Sequence, residues 1–146
     1  MESEMTDEEA VLAAARRFYD ALEAMMSGSD VGAMDAAWHH TPRVTSSHPL
    51  GDWAYGWDEV AATWAVFGAM GRPELAGSRI TELRAWIYGD VAYTTCVFHT
   101  TPKIGDFKLN CTDIFHRVDG VWKVIHHHPD KDRGIGEALQ KIAESD

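Results

Sequence analysis

The chain has 146 residues, of which 45% are hydrophobic and 25% are charged. This size and balance fit one globular domain with a single core, and they argue against wholesale disorder and against a fibrous architecture. Because the formal net charge is −10 and the thirteen Lys and Arg residues are scattered, nucleic acid and anionic membranes are poor partners.

The N-terminal segment 1–9 is acidic and lacks the charge and hydropathy order of a signal peptide, so we expect a cytoplasmic protein. A capping-box pair, Thr6 and Glu9, then predicts the start of the first helix. Gly28 is expected to end it. Apolar residues recur at helical spacing between these points: Val11, Ala15, Phe18, Leu22 and Met25.

A shorter second helix is predicted after Ser29 or Asp30, either of which can cap it, and Pro42 closes this region. Its shared apolar face consists of Met34, Ala37 and Trp38. Residues 43–48 then read as a short strand, which Pro49 and Gly51 are expected to end.

Gly56 opens the predicted third helix, which Gly68 and Gly71 end. Residues at offsets of three, four and three define its apolar face: Trp57, Val60, Trp64 and Phe67.

The remaining chain predicts a four-stranded antiparallel meander. Its strands, at 78–88, 91–101, 107–118 and 121–128, are rich in β-branched and aromatic residues. Three turn pairs separate them, Gly89-Asp90, Gly105-Asp106 and Asp119-Gly120. The polar tail at 136–143 is expected to form one or two helical turns that can fray.

Three stretches carry a family resemblance: residues 47–51, the helix start at 56–60 with Trp64 beyond it, and above all residues 113–128. They are similar to SnoaL-like proteins of the NTF2-like superfamily, over about residues 6–130. The resemblance implies an α+β cone of the ketosteroid isomerase type, with three N-terminal helices packed on a curved antiparallel sheet. We therefore expect one domain over 1–146, with a short tail at 131–146.

The resemblance also implies a pocket at the wide end of the cone and, commonly, a homodimer through the convex face of the sheet. It implies little about chemistry, because this fold hosts isomerases, cyclases, hydrolases, dehydratases and proteins without known catalysis.

Hairpin turns fix strand register, and register decides which face each side chain occupies. A two-residue Asp119-Gly120 turn places Asp113 opposite His126 and Cys111 opposite His128. The predicted inner face is Thr81, Leu83, Ala85, Ile87, Ala92, Thr94, Cys96, Phe98, Thr100, Cys111, Asp113, Phe115, Arg117, Trp122, Val124, His126 and His128. The predicted outer face includes Trp86, Tyr88, Tyr93, Val97, His116, Ile125 and His127, and its apolar members suit a dimer contact.

Asp113 is the only acidic residue on the predicted inner face, where an unpaired carboxylate would be costly. His126 lies within reach because opposed Cβ atoms are about 5 Å apart, and His128 follows one pleat further along. The candidate catalytic residues are therefore Asp113, His126 and His128, since a carboxylate that orients an imidazole is a common acid–base arrangement. The same pair also fits a purely structural role.

Aromatic residues supply candidate pocket walls. Trp53 and Tyr55 lie in a Gly-flanked loop, where contact with a ligand and packing are equally plausible. The candidate ligand-binding residues are His48, Trp38, Trp53, Tyr55, Trp64, Phe98, Phe115 and Trp122.

The leading interpretation is an enzyme that performs acid–base chemistry on a small hydrophobic or aromatic molecule, of isomerase, dehydratase, cyclase or hydrolase type. One alternative is a non-catalytic ligand-binding module. Another is a metal-dependent oxygenase or hydrolase that uses His126, His128 and Asp113. We expect no cofactor and no bound metal, because a carboxylate bonded to an imidazole explains the same residues. Cys96 and Cys111 have no disulfide or zinc-site spacing and are expected to be small buried residues.

Overall fold

A computed structural model describes residues 4–48 and 52–145 of the chain. Three α-helices are present: α1 (Asp7–Met26), α2 (Gly56–Ala69) and α3 (Arg133–Glu144). Six strands form one sheet: β1 (Thr45–Ser46), β2 (Ala54–Tyr55), β3 (Arg79–Tyr88), β4 (Val91–His99), β5 (Lys108–Val118) and β6 (Val121–Pro129). Two 3₁₀ turns, Ala33–Ala37 and Pro73–Leu75, complete the architecture, an α+β cone with a curved open sheet.

Helix α1 lies across the concave side of the sheet, where its apolar stripe enters the core. The predicted capping box is confirmed, because Thr6 and Glu9 bond each other's backbone at the N-terminus. Val11, Ala15 and Phe18 are completely buried. Their burial anchors the helix on the sheet, since each buried large apolar side chain contributes about 1.5–3 kcal/mol.

The predicted four-stranded meander is confirmed, with strand bounds within two residues of those expected from the sequence. The strand order is β2-β1-β6-β5-β4-β3. Two short strands extend this meander: β1 pairs parallel to β6, and β2 pairs antiparallel to β1. The sequence analysis did not include them in the sheet. The sheet is therefore mixed, whereas a purely antiparallel sheet was expected.

Two local predictions need correction. The second helix is a single 3₁₀ segment, and Trp38 follows it in extended conformation and bridges to Val124 of β6. The strand expected at 43–48 is limited to Thr45–Ser46, and its expected terminators Pro49 and Gly51 lie outside the described residues.

The C-terminal tail forms a longer helix than predicted. Asp132 caps α3 by accepting hydrogen bonds from the backbone of Gly134 and Ile135. Ile135 and Leu139, one turn apart, are buried beneath it. This apolar contact stabilises a segment whose composition alone reads as polar.

Two β-bulges alter the predicted register. One lies between Thr81 and Arg84 in β3, so Thr81 pairs with Val97 of the outer face and is not on the inner face as predicted. The other lies in β6, where Val124 pairs with Phe115 but His126 already pairs with Ile114. Ile125 is therefore the extra residue, and beyond it every β6 side chain changes face.

Within the described residues, no helix is both long enough and apolar enough to cross a membrane.

Gly71 offers a test of the packing between the end of α2 and the end of α1. A Cβ at this position would overlap the backbone oxygen of Met25, so Gly71→Ala should lower the free energy of unfolding by about 1–3 kcal/mol. Gly32→Ala is the matched control, because the nearest atom to its Cβ is an Asp30 carboxylate oxygen at 4.0 Å. Urea denaturation of both variants would contradict this packing if they lost equal stability.

Candidate functional site

The centre of the site is the carboxylate of Asp113, which has no exposed surface. Its Oδ2 accepts a hydrogen bond from the Tyr19 hydroxyl at 2.5 Å, and its Oδ1 accepts one from His127 Nδ1 at 2.5 Å. Both partners are also buried. The two bonds compensate a charge that would otherwise be expensive to place in an apolar interior.

The three residues come together from three elements. Tyr19 faces inward from α1, Asp113 from β5, and His127 from β6, where the extra residue Ile125 turns it to the concave side. Burial, followed by the charge of Asp113, raises the pKa of Tyr19 well above its usual value. The phenol therefore stays protonated and remains a donor to Asp113.

His127 is held in an aromatic environment. Its ring centroid lies 4.8 Å from that of Phe18 and 5.8 Å from that of Trp64. Because Nδ1 bonds Asp113, the neutral ring carries its lone pair on Nε2. Nε2 makes no hydrogen bond with any residue in the described part of the chain.

His127 lines a cavity of about 80 Å³ between the sheet, α1, α2 and α3. The wall is almost entirely apolar. It consists of Tyr19, Leu22, Met26, His48, Trp64, Phe67, Leu75, Ser78, Phe98, Thr100, Thr101, Ile104, Leu109, Cys111, His127, Pro129, Ile135 and Leu139. The Nδ1 edge of His127 is occupied by Asp113, so we infer that the Nε2 edge meets this space.

Two further polar atoms near the cavity lack a partner. Trp64 Nε1 and His48 Nδ1 are buried and make no hydrogen bond within the described residues, and both side chains line the cavity. Burial, then the charges of His127 and Lys131, lowers the pKa of His48. A ligand with a polar atom could satisfy such groups, which otherwise cost stability.

The predicted contact between Asp113 and His126 is wrong, because the bulge at Ile125 moves both His126 and His128 to the other face. His126 Nδ1 instead lies 2.6 Å from Thr45 Oγ1. Trp53 packs on both rings, at centroid distances of 5.7 Å from His126 and 5.1 Å from His128. Burial, followed by the charge of His128, lowers the pKa of His126.

The same change of face separates the predicted metal ligands. Asp113 points into the core while His126 and His128 lie outside it, so they do not form one coordination set. Within the described residues, no group of three or more His, Cys, Asp or Glu side chains could hold a metal ion.

The structure divides the predicted ligand-binding residues into three groups. His48, Trp64 and Phe98 line the cavity. Trp38, Phe115 and Trp122 are buried in the core but do not line the cavity. Trp53 and Tyr55 are largely exposed, at 45% and 61%, and neither lines the cavity. Trp53 packs on His126 and His128, and Tyr55 stacks on Trp53.

A family model described as the SnoaL-like domain matches residues 11–129. The chain belongs to the SnoaL-like family. No curated protein matches the chain significantly.

Solved structures share the fold of this SnoaL-like protein. A candidate dehydratase of the NTF2-like family from Streptomyces avermitilis is 24% identical, with a TM-score of 0.69 over 86% of this chain and 96% of that one. A candidate ketosteroid isomerase from Parabacteroides distasonis is 18% identical, with a TM-score of 0.67 over 91% and 96%. A candidate calcium/calmodulin-dependent protein kinase type II association domain from Thiobacillus denitrificans is 26% identical, with a TM-score of 0.65 over 83% and 94%.

Sequence reasoning missed two residues of the site, Tyr19 and His127. Tyr19 had a usable signal, since it follows Ala15 by one helical turn and so falls on the buried stripe, where a phenol needs a polar partner. His127 had none, because no residue type in the segment 121–128 marks Ile125 as a bulge.

The hydrogen bonds to Asp113 predict graded losses of stability. Tyr19→Phe removes one donor and should lower the free energy of unfolding by about 1.5–3 kcal/mol, the range for bonds to charged groups. Asp113→Ala leaves both Tyr19 and His127 unpaired and should cost more. Chemical denaturation would contradict the network if Asp113→Ala were as stable as Tyr19→Phe.

The lowered pKa values of His48 and His126 predict a dependence of stability on pH. In the unfolded chain both histidines have a pKa of about 6.5, so below this pH the unfolded chain binds more protons than the folded protein does. Stability should therefore fall as the pH drops below about 6.5, until the folded histidines also titrate. Urea denaturation at several pH values should show a shallower decline in a His48→Asn, His126→Asn double variant, and an unchanged decline would contradict this assignment.

Proposed function

We propose that this SnoaL-like protein encloses a small, mostly apolar molecule and catalyses a proton transfer on it. His127 is the proposed acid–base group, while Asp113 and Tyr19 are positioning residues. The observation that carries this proposal is the unpaired Nε2 of a buried histidine whose Nδ1 is bonded to a buried carboxylate. An orienting carboxylate and a free imidazole nitrogen are what a general base requires.

The proton path follows from the bonding. Nε2 accepts a proton from a ligand C–H or O–H, and the resulting imidazolium is stabilised by the charge of Asp113. Tyr19 keeps its own proton and fixes the second carboxylate oxygen, so Asp113 cannot turn away from His127. Return of the proton to another ligand atom completes an isomerisation, and its delivery to a leaving hydroxyl completes a dehydration.

The cavity limits the ligand. Its volume of about 80 Å³ is smaller than an engineered cavity of about 150 Å³ that holds benzene. The enclosed part of the ligand is therefore a small fragment, unless α3 moves. Ile135 and Leu139 of α3 form one wall of the cavity, so displacement of this helix is the simplest route to a larger space.

Hydrogen exchange tests the proposed proton transfer before the physiological substrate is known. Small ketones and hydroxy-ketones are incubated with the protein in D₂O, and deuterium at the carbon next to the carbonyl is followed by NMR. We expect exchange by wild-type protein and a loss of about 10²–10⁴-fold in His127→Asn.

His126→Asn is the matched control, because it alters the neighbouring histidine on the opposite face. It should exchange at the wild-type rate. Equal loss in the two variants, or no exchange with any ligand shown by calorimetry to bind the cavity, would contradict a catalytic His127.

A non-catalytic binding module is the second candidate, favoured by how few polar groups reach the cavity. In that case Trp64, His48 and His127 only orient the ligand. Mass spectrometry of protein purified without denaturation would identify a retained ligand, and binding without exchange would favour this alternative.

We also propose that two copies associate through the convex face of the sheet. Trp86 and Tyr88 are exposed there, and both stack on Tyr93, at centroid distances of 4.9 and 6.2 Å. A contiguous exposed aromatic group of this kind commonly marks a protein interface.

Substitution of the aromatic group predicts dissociation. Trp86→Lys with Tyr88→Lys should weaken a homodimer at least about tenfold, since aromatic anchors dominate interface energies. Val66→Lys is the control, because this residue is 61% exposed on α2. Sedimentation that shows a wild-type monomer at micromolar concentration would refute the proposal.

A further inference from the structure

The hydroxyl groups on the cavity wall already donate their protons to groups within the fold. Four side chains of the wall carry a hydroxyl, and each makes a hydrogen bond of 2.5–2.8 Å as a donor. The pairs are Tyr19 with Asp113, Ser78 with Glu23, Thr100 with the backbone oxygen of Gly105, and Thr101 with that of Ala76. A ligand in the cavity therefore meets no free hydroxyl proton on the described wall.

The indole N–H of Trp64 is the donor that these bonds leave without an acceptor. The side chain lines the cavity, and its Nε1 is buried and makes no hydrogen bond within the described residues. Its neighbours on the core side include the rings of Phe18 and Phe67, with centroids 6.1 and 5.9 Å away, and these carry no acceptor atom. Because an indole nitrogen only donates, the partner it lacks is an acceptor.

Two other nitrogens of the wall are open, and they constrain the ligand differently. His48 Nδ1 is also buried and unpaired within the described residues, but a neutral imidazole nitrogen can be a donor or an acceptor. His127, whose ring centroid lies 5.8 Å from that of Trp64, has its lone pair on Nε2. A small molecule in the cavity thus meets one fixed donor and one fixed acceptor on neighbouring rings.

We propose that Trp64 is a specificity-determining residue whose indole N–H binds the oxygen of a small carbonyl compound. A carbonyl oxygen accepts this bond without bringing a second donor into an apolar space, and it acidifies the C–H beside it. The inference rests on the proposed function for the place of the ligand and for the use of that C–H by His127. A hydrocarbon of the same shape leaves the buried N–H unpaired and binds more weakly.

The test compares cyclobutanone with methylenecyclobutane, in which a CH₂ group replaces the oxygen and the shape is kept. Each is titrated into the intact isotope-labelled protein, and NMR follows the indole N–H resonances of its six tryptophans. Nuclear Overhauser contacts to Phe67 assign Trp64. We expect cyclobutanone to move the Trp64 indole proton downfield, as a new hydrogen bond does, and methylenecyclobutane to cause no such shift.

Trp38 is the internal control, because its Nε1 is also buried and unpaired but its side chain does not line the cavity. Its indole proton should not move downfield with either probe. A Trp64 proton that keeps its position up to the highest soluble concentration of cyclobutanone would overturn the inference, as would equal downfield shifts with the two probes.

The variant Trp64→Phe gives a second readout, since it removes the N–H and keeps an aromatic ring. Cyclobutanone should bind to it at least about tenfold more weakly than to wild-type protein. Methylenecyclobutane should lose no affinity, and an equal loss for both probes would count against the proposed bond. The wild-type spectra decide the matter even if the variant fails to fold.

Deuterium incorporation into cyclobutanone in D₂O separates this inference from the proton transfer proposed for His127. Incorporation with an unmoved Trp64 proton would overturn the role of Trp64 and retain the catalytic His127. A downfield shift without incorporation would retain the role of Trp64 and favour the non-catalytic binding module.

Discussion

The organisation of this protein depends on the cost of one buried charge. Asp113 has no exposed surface, so its ionised form requires donors that the fold itself must provide. Tyr19 and His127 are those donors. They come from the first helix and the last strand, so satisfying this carboxylate joins parts of the chain that are 108 residues apart.

The same bonds fix the orientation of the His127 ring. Because Nδ1 of His127 bonds Asp113, the lone pair of the neutral ring lies on Nε2. The helix α3 contributes to that wall through Ile135 and Leu139. A segment that lies beyond the family match at 11–129 therefore takes part in forming the cavity of this SnoaL-like protein.

The fold could be predicted because its signals are local and repeated. The capping box of Thr6 and Glu9, the turn pairs Gly89-Asp90 and Asp119-Gly120 and the alternation along the strands each specify one element, and the structure contains the elements they specify. The third turn pair, Gly105-Asp106, instead lies within a longer loop between β4 and β5. The site could be predicted only in part. Asp113 was identified as a buried acid in need of a partner, but its partner was misassigned.

That error has a physical cause. Side-chain direction alternates along a strand, so one extra residue exchanges the faces of everything beyond it. Ile125 is such a residue, and three consecutive histidines follow it, so their composition could not reveal the change. The parallel pairing of the short strand β1 with β6 escaped prediction for a related reason: it joins segments that are far apart in the chain.

NMR of the histidine side chains tests the central claim most directly, because it reports both the tautomer and the neighbours of each ring. The structure predicts nuclear Overhauser contacts between the rings of His127 and Phe18, whose centroids are 4.8 Å apart, and a His127 ring protonated at Nδ1 with Nε2 free. Contacts from Phe18 to His126 in place of His127 would show that the bulge is absent, and would contradict the pairing of Asp113 with His127 on which this account depends.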